Sequence, residues 1–84
     1  MKTRVRKKKV RHGEHHFTVI LEPDEKGYHA FCPALPGCHT CGDNIEEAMK
    51  NIREAVEVYC ESLLDDGEEL PYEDLIIRPM AISV

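Results

Sequence analysis

The chain has 84 residues, of which 42% are hydrophobic and 32% are charged, and its formal net charge is −5. This length gives one domain, because chains normally divide into several domains only when they are much longer. No apolar run approaches the roughly 20 residues that a membrane-spanning helix needs. The basic start is not followed by the apolar stretch of a secretory signal. The sequence therefore predicts a cytoplasmic protein that does not enter a membrane.

Charge is distributed unevenly along the chain. Residues 2–11 contain seven Lys or Arg and no acid, whereas the rest contains four basic and 16 acidic residues, so a +7 segment precedes a −12 body. Like charges at this density repel one another, which predicts a basic arm over residues 1–14 and a domain over 15–84. Nucleic acid, a neighbouring subunit or the acidic body would each neutralise the arm. The candidates for non-specific nucleic-acid binding are Lys2, Arg4, Arg6, Lys7, Lys8, Lys9 and Arg11.

The first predicted elements form a β-hairpin. Apolar and polar residues alternate over 16–22, which predicts a strand with one face in the core. Turn residues follow over 23–27, and Gly27 tolerates a positive φ. Alternation then resumes over 28–33, so the two strands are expected to pair.

A tight turn leads to a third strand. Pro36 and Gly37 fit the central positions of a type II turn, since proline presets φ and glycine accepts the positive value that follows. A short strand over 38–41 is predicted after this turn.

The clearest pattern is an amphipathic helix over 45–65. Asn44 and Glu47 have the spacing of a capping box at its start, and Gly67 suits its C-terminal cap. Apolar residues recur at steps of three and four, so they form one stripe that packs on the sheet. The stripe contains Ile45, Ala48, Met49, Ile52, Ala55, Val56, Tyr59 and Leu63.

The end of the chain predicts a fourth strand over 75–83. Both parities of this segment are apolar, so each of its faces needs a cover. The predicted fold class is α+β, a single small β-β-β-α-β domain with one helix packed on one sheet. Because so small a core is marginal and the last strand is apolar on both faces, we expect a homodimer or higher oligomer.

The four cysteines leave one alternative open. Cys38 and Cys41 have CxxC spacing, and Cys32 lies nearby, so three thiolates would in principle suffice for a zinc site or a redox centre. A structural zinc site usually has a second ligand pair, and Cys60 lies within the helical pattern. A metal site, if the protein has one, is therefore expected at Cys32, Cys38 and Cys41. The favoured prediction is a protein without metal or cofactor.

Nothing in the sequence fixes a catalytic geometry. Two-metal nucleases need several carboxylates that converge on strand ends, whereas the acids here lie mainly in the helical pattern and in the connector over 65–74. His15, His16, His29 and His39 lack a motif that would place them beside a nucleophile. The sequence predicts a protein that is not an enzyme.

Four motifs in the middle of the chain occur in a recognisable order and spacing. They are Phe17-Thr18-Val19-Ile20-Leu21-Glu22-Pro23-Asp24-Glu25, Pro33-Ala34-Leu35-Pro36-Gly37-Cys38, Gly42-Asp43-Asn44-Ile45-Glu46-Glu47-Ala48 and Asn51-Ile52-Arg53-Glu54-Ala55. Together they resemble the HicB-like antitoxin family, and the resemblance covers residues 17–71.

The resemblance implies both a fold and a function. Family members adopt a partial ribonuclease-H-like fold with a β-β-β-α-β core. They bind and neutralise a small HicA-type toxin, a ribonuclease that cleaves messenger RNA, by protein-protein contact. A fold likeness to ribonuclease H does not imply catalysis. The alternative is an orphan HicB-like regulator that binds nucleic acid through its basic arm.

The tight loop between the second and third strands is the candidate partner-binding site. Loops on a rigid scaffold often carry binding residues. The candidate residues are Pro33, Ala34, Leu35, Pro36, Gly37 and Cys38.

Overall fold

The computed structural model of the protein describes residues 15–84, which form three strands followed by one helix. β1 spans Ile20–Pro23, β2 spans Tyr28–Phe31, β3 spans His39–Gly42 and α1 spans Ile45–Asp65. The strands form one antiparallel sheet in the order β1-β2-β3. The predicted α+β class is confirmed, and the ribonuclease-H likeness stays a prediction. No helix in this part of the chain combines the length and apolar character that crossing a membrane requires.

The register of the sheet gives it two different faces. Ile20 lies opposite Phe31, and Phe31 lies opposite His39. Leu21 lies opposite Ala30, which is fully buried in the core cluster. Because successive side chains of a strand point to opposite faces, the Ala30 side packs against α1. No helix within residues 15–84 covers the Phe31 side.

The core lies between the sheet and α1. Leu35 and Ile52 are its largest fully buried side chains, so the loop after β2 and the middle of α1 meet there. Small residues fill the remaining space, which lets the two layers approach closely. The buried cluster consists of Ala30, Cys32, Leu35, Cys38, Ala48 and Ile52.

Both ends of α1 are capped as the sequence predicts. The Asn44 Oδ1 accepts from the N–H of Glu47 at 2.8 Å, and the Glu47 carboxylate accepts from the N–H of Asp43 at 2.6 Å. At the other end Gly67 has a φ of 79°. The N–H groups of Gly67 and Glu68 donate to carbonyls of the last helical turn at 3.0 and 2.9 Å, which is a Schellman motif.

Two glycines allow three backbone segments to stack at one end of the sheet. A Cβ on Gly42 would lie 2.4 Å from the backbone nitrogen of Ala48 in the first turn of α1. A Cβ on Gly27 would lie 2.2 Å from the carbonyl oxygen of Gly42. Only residues without a side chain permit this approach. The hairpin turn, the end of β3 and the start of α1 are therefore held together backbone to backbone.

The strand boundaries differ from those predicted at the loop end of the sheet. β1 begins at Ile20 rather than at residue 16, and β2 ends at Phe31 rather than at residue 33. Pro33 has no N–H to donate to a ladder, and the chain turns away from the sheet at this point. The residues before Ile20 therefore have no strand to pair with, although Phe17 still packs against the core.

The predicted fourth strand is not formed in the described residues. The segment 75–83 forms no strand, and none of the residues 15–84 pairs with it. Alternating apolar residues give a segment β-propensity, but a strand also needs a hydrogen-bonding neighbour. Its large apolar side chains instead remain 45–82% exposed, namely Leu75, Ile76, Ile77, Met80 and Ile82.

Replacing Ile52 by Asp is expected to unfold the chain. Ile52 is 1% exposed, so the change buries an unpaired carboxylate at a cost of about 4 kcal/mol or more, comparable to the whole stability of a small domain. Circular dichroism and urea titration measure the loss of helix and of cooperative unfolding. Val58→Asp is the matched control, because Val58 is 65% exposed on the same helix. If the Ile52→Asp variant unfolds cooperatively and is as stable as the control, Ile52 does not lie in the core.

Replacing Gly42 by Ala is expected to destabilise the fold by about 1 to 3 kcal/mol, because the added methyl group overpacks a backbone contact. Asp43→Ala is the control at the neighbouring position. Asp43 is exposed and already has a Cβ, so this change adds no atom to the backbone contact and should lower the stability by less than about 1 kcal/mol. Urea unfolding of both variants provides the comparison. Equal stability of the Gly42→Ala variant and the unmodified chain would show that α1 does not approach β3 this closely.

Candidate partner-binding surface

The loop between β2 and β3 consists of two consecutive tight turns. The N–H of Leu35 donates to the carbonyl of Cys32, and the N–H of Cys38 donates to the carbonyl of Leu35, each at 3.0 Å. Gly37 has a φ of 83°, as expected at the third position of a type II turn. Pro36 precedes it, and the proline ring restricts φ to the value that this turn requires, so the predicted turn chemistry accounts for the loop.

Further contacts fix this loop on the body of the protein. The N–H of Cys32 donates to the carbonyl of Cys38 at 3.1 Å and closes the loop at its base. The Tyr59 hydroxyl of α1 donates to the Pro36 carbonyl at 3.0 Å. Leu35 is 0% exposed and anchors the loop in the core. The tip at Pro36 and Gly37 remains exposed.

The sheet face opposite α1 continues the surface of the loop. The rings of His29 and Phe31 stack with centroids 5.8 Å apart, and the rings of His29 and His39 lie 5.5 Å apart. The strand register places Ile20 and Cys41 on the same face. These side chains form a mixed apolar and imidazole surface that α1 leaves uncovered.

A shallow concavity joins the loop to this sheet face. Its volume is about 540 Å³, and three of its lining residues, His29, Phe31 and His39, belong to the sheet. The other lining residues lie between Cys32 and Cys38. The loop, the concavity and the uncovered face of the sheet are called the open surface below.

The acidic side chains are concentrated elsewhere. The outer side of α1, turned away from the sheet, is lined by exposed carboxylates, whereas the open surface carries Glu22 beside His29 with an N–O distance of 4.0 Å. Long-range attraction of a basic partner therefore arises mainly from the helical side. The exposed acids of α1 are Glu46, Glu47, Glu54, Glu57, Glu61 and Asp65.

The structure separates the cysteines that the metal alternative combined. Cys32 and Cys38 lie in the core with Cys60 packed against it, whereas Cys41 is exposed on the opposite face of the sheet. Burial raises the pKa of the Cys32, Cys38 and Cys60 thiols, which disfavours the thiolate that metal binding and nucleophilic attack require. Within residues 15–84 no group of three or more metal-binding side chains is brought together.

The structure places the predicted loop residues in two roles. Leu35 and Cys38 are buried and hold the loop, while Pro36 and Gly37 form its exposed tip. The predicted nucleic-acid-binding residues lie at positions 2–11, outside the described residues. The sequence-based prediction missed that His29, Phe31 and His39 belong to the same surface as the loop. The signal that identifies them is the two-residue period of β2 and β3, which puts them opposite the buried Ala30 face.

Comparison with known proteins identifies relatives over most of the chain. Residues 17–81 match the family model described as the HicB_like antitoxin of bacterial toxin-antitoxin system. The UPF0150 protein ssr1765 of Synechocystis sp. is 52% identical over 71 residues, which are 83% of this chain and 90% of that protein. A UPF0150 protein of Helicobacter pylori is 40% identical over 77% of this chain and 92% of its own length. The UPF0150 protein Ta0767 of Thermoplasma acidophilum is 46% identical over 69% of this chain and 86% of its own length.

The positions of the four thiols predict the order in which they react. With iodoacetamide on the folded, reduced protein at pH 8, Cys41 is expected to react at least about tenfold faster than the three other thiols, because these are shielded and less ionised. Peptide mass spectrometry after timed quenching measures each rate, and the same protein in urea is the control in which the four rates converge. Equal rates at Cys38 and Cys41 in the folded protein contradict the described burial.

Proposed function

The chain belongs to the HicB-like antitoxin family, and on this basis we propose that it binds and neutralises a HicA-type ribonuclease toxin by protein-protein contact. Family membership supports a role in a toxin-antitoxin system. The observation that supports direct contact is the open surface, a fixed loop beside an uncovered sheet face. Inhibition by occlusion needs no chemistry from the antitoxin itself.

The loop from Pro33 to Cys38 is the proposed centre of the contact. Its exposed tip is apolar, and its backbone is held by the Tyr59 hydroxyl and by the closing hydrogen bond at its base. Interfaces derive most of their affinity from well-packed apolar and aromatic groups. Phe31 and the two neighbouring imidazoles extend such a surface beyond the loop. The proposed contact residues are Pro33, Ala34, Leu35, Pro36, Gly37 and Cys38, of which Leu35 and Cys38 act by holding the loop.

The acidic side of α1 has a different role in this proposal. A ribonuclease that binds RNA presents a basic surface, and carboxylates along α1 attract it from a distance. Exposed charges act mainly on the association rate and are screened by salt, whereas the apolar contact persists. The acidic side therefore speeds the encounter, and the open surface holds the complex.

We also propose where the protein acts, how it acts and in which oligomeric state. The protein acts in the cytoplasm, where the messenger RNA cleaved by its toxin is located. It acts without an enzymatic step, because occlusion of a toxin needs no chemistry from the antitoxin. It works as a homodimer or higher oligomer, because the exposed apolar side chains after residue 74 need a cover.

An RNA-cleavage assay tests the proposed neutralisation. A HicA-type toxin is mixed at equimolar amounts with the 84-residue chain and with a chain lacking residues 2–11, and cleavage of an RNA substrate is followed. Both proteins are expected to stop cleavage, because the open surface lies outside the arm. Failure of both proteins contradicts the antitoxin role. Inhibition by the 84-residue chain alone assigns the effect to the arm.

A matched pair of variants tests the open surface. Pro36→Glu adds a charge at the loop tip, and Lys26→Gln removes one at the hairpin at the other end of the sheet, so both lower the net charge by one. The first variant is expected to weaken toxin binding by about tenfold or more, since a charge at the centre of an apolar contact is left unpaired. Isothermal titration calorimetry measures both affinities. Equal affinities place the contact outside the loop.

A further inference from the structure

The segment from Leu75 to Val84 is rich in apolar residues apart from Arg78 and Pro79, yet it is not buried. Every residue of this segment is exposed, including Ile76 at 79%, Met80 at 82% and Ile82 at 69%. Its apolar side chains occur in both parities, so a strand formed by it is stable only with neighbours on both faces. This stretch, residues 75–84, is called the tail below.

An apolar groove lies at the β1 edge of the protein. It has a volume of about 350 Å³ and runs between α1 and the segment that leads into β1. Phe17 and Val19 line one wall, and Met49 and Val56 line the other, with Met49 left 41% exposed. None of the residues 15–84 pairs with β1 on its outer side, so backbone donors and acceptors border this groove.

The opposite edge of the sheet is less suitable for an added strand. Beside β3 the side chain of Asn51 already donates to the carbonyl of Cys41 at 2.8 Å. The two edges therefore differ, and an apolar strand fits the β1 edge.

The tail starts beside the groove that it fits. The Glu73 carboxylate accepts from the N–H of Thr18, just before β1. Leu70, three residues earlier, lines the groove itself. From this anchor the tail leaves the body, since all its residues are exposed.

We propose that the tail of one chain adds as a strand to the β1 edge of a second copy and fills that copy's groove, with the exchange made reciprocally. This proposal specifies the contact behind the proposed homodimer. Reciprocal exchange of an identical element closes a two-fold dimer, and strand addition to an open edge satisfies the backbone groups there. One face of the tail meets the partner's groove.

The low net charge of both the tail and the groove favours this occupant. The only charged side chain of the tail is Arg78, and the groove presents Glu57 beside Arg53 at its rim. The rest of the chain outside the basic arm is strongly acidic, so two bodies repel each other at any surface rich in carboxylates. An apolar tail with a single positive charge is a contact that avoids this repulsion.

Sedimentation of the toxin-free, full-length protein gives the first test. The unmodified chain is expected to be a dimer at micromolar concentration. Combining Ile76→Asp with Ile82→Asp places uncompensated charges in an apolar groove, so we expect the dimer dissociation constant to rise by about 100-fold or more. Val58→Asp is the control and should leave the dimer intact. A monomeric unmodified chain, or a tail variant that dimerises normally, overturns the proposal.

Mixing two defective variants distinguishes exchange from contact between two tails. Met49→Asp damages the groove but keeps an intact tail, whereas the tail variant keeps an intact groove. Each variant alone is expected to be monomeric and, by circular dichroism, folded. Their mixture retains one intact tail-groove pair and should form a heterodimer at higher concentration. If mixing restores no dimer, the tails do not occupy the partner's groove.

Nuclear magnetic resonance on the unmodified protein covers the case in which Met49→Asp fails to fold. In a mixture of ¹⁵N-labelled and ¹³C-labelled chains, contacts are expected between the Ile76 and Ile82 methyl groups of one chain and the Val19 and Leu21 amides of the other. Contacts found only within one chain overturn the exchange. Because no toxin is present, either result leaves the proposed neutralisation to be judged by the RNA-cleavage assay alone.

Discussion

The whole architecture depends on the close approach of three backbone segments at one end of the sheet. The hairpin turn at Gly27, the end of β3 at Gly42 and the first turn of α1 at Ala48 leave no room for side chains between them. This contact fixes where α1 begins and how closely it lies over the sheet. The buried contacts along the helix follow from that starting point.

One helix on three strands separates the surface into two sides of different chemistry. α1 covers one face of the sheet and turns its carboxylates to solvent, while the other face presents His29 between Phe31 and His39. The loop anchored by Leu35 borders this second side. In the proposed complex, one side attracts a basic partner and the other side holds it. Such a division allows the rate of encounter and the lifetime of the complex to be tuned by different residues.

Local chemistry made much of the fold predictable, and long-range pairing made the rest unpredictable. The helix over 45–65 has the bounds that its caps at Asn44 and Gly67 indicate, because capping acts within a few residues. The segment 75–83 was wrongly predicted as a strand, since its neighbour cannot be read from its own pattern. The role of Phe31 also depends on a neighbour, because only the packed helix shows which face of the sheet stays uncovered.

The hydrogen bonds around the loop fix its shape before any partner binds. With its base closed between Cys32 and Cys38, its turn fixed by Gly37 and its tip held by Tyr59, the loop has little conformational entropy left to lose on association. A partner that docks there meets the same shape in the free and the bound protein. Exchanging side chains at the exposed tip then changes complementarity without remodelling the backbone. Partner specificity can therefore diverge among relatives by substitution at the tip while the scaffold beneath it stays unaltered.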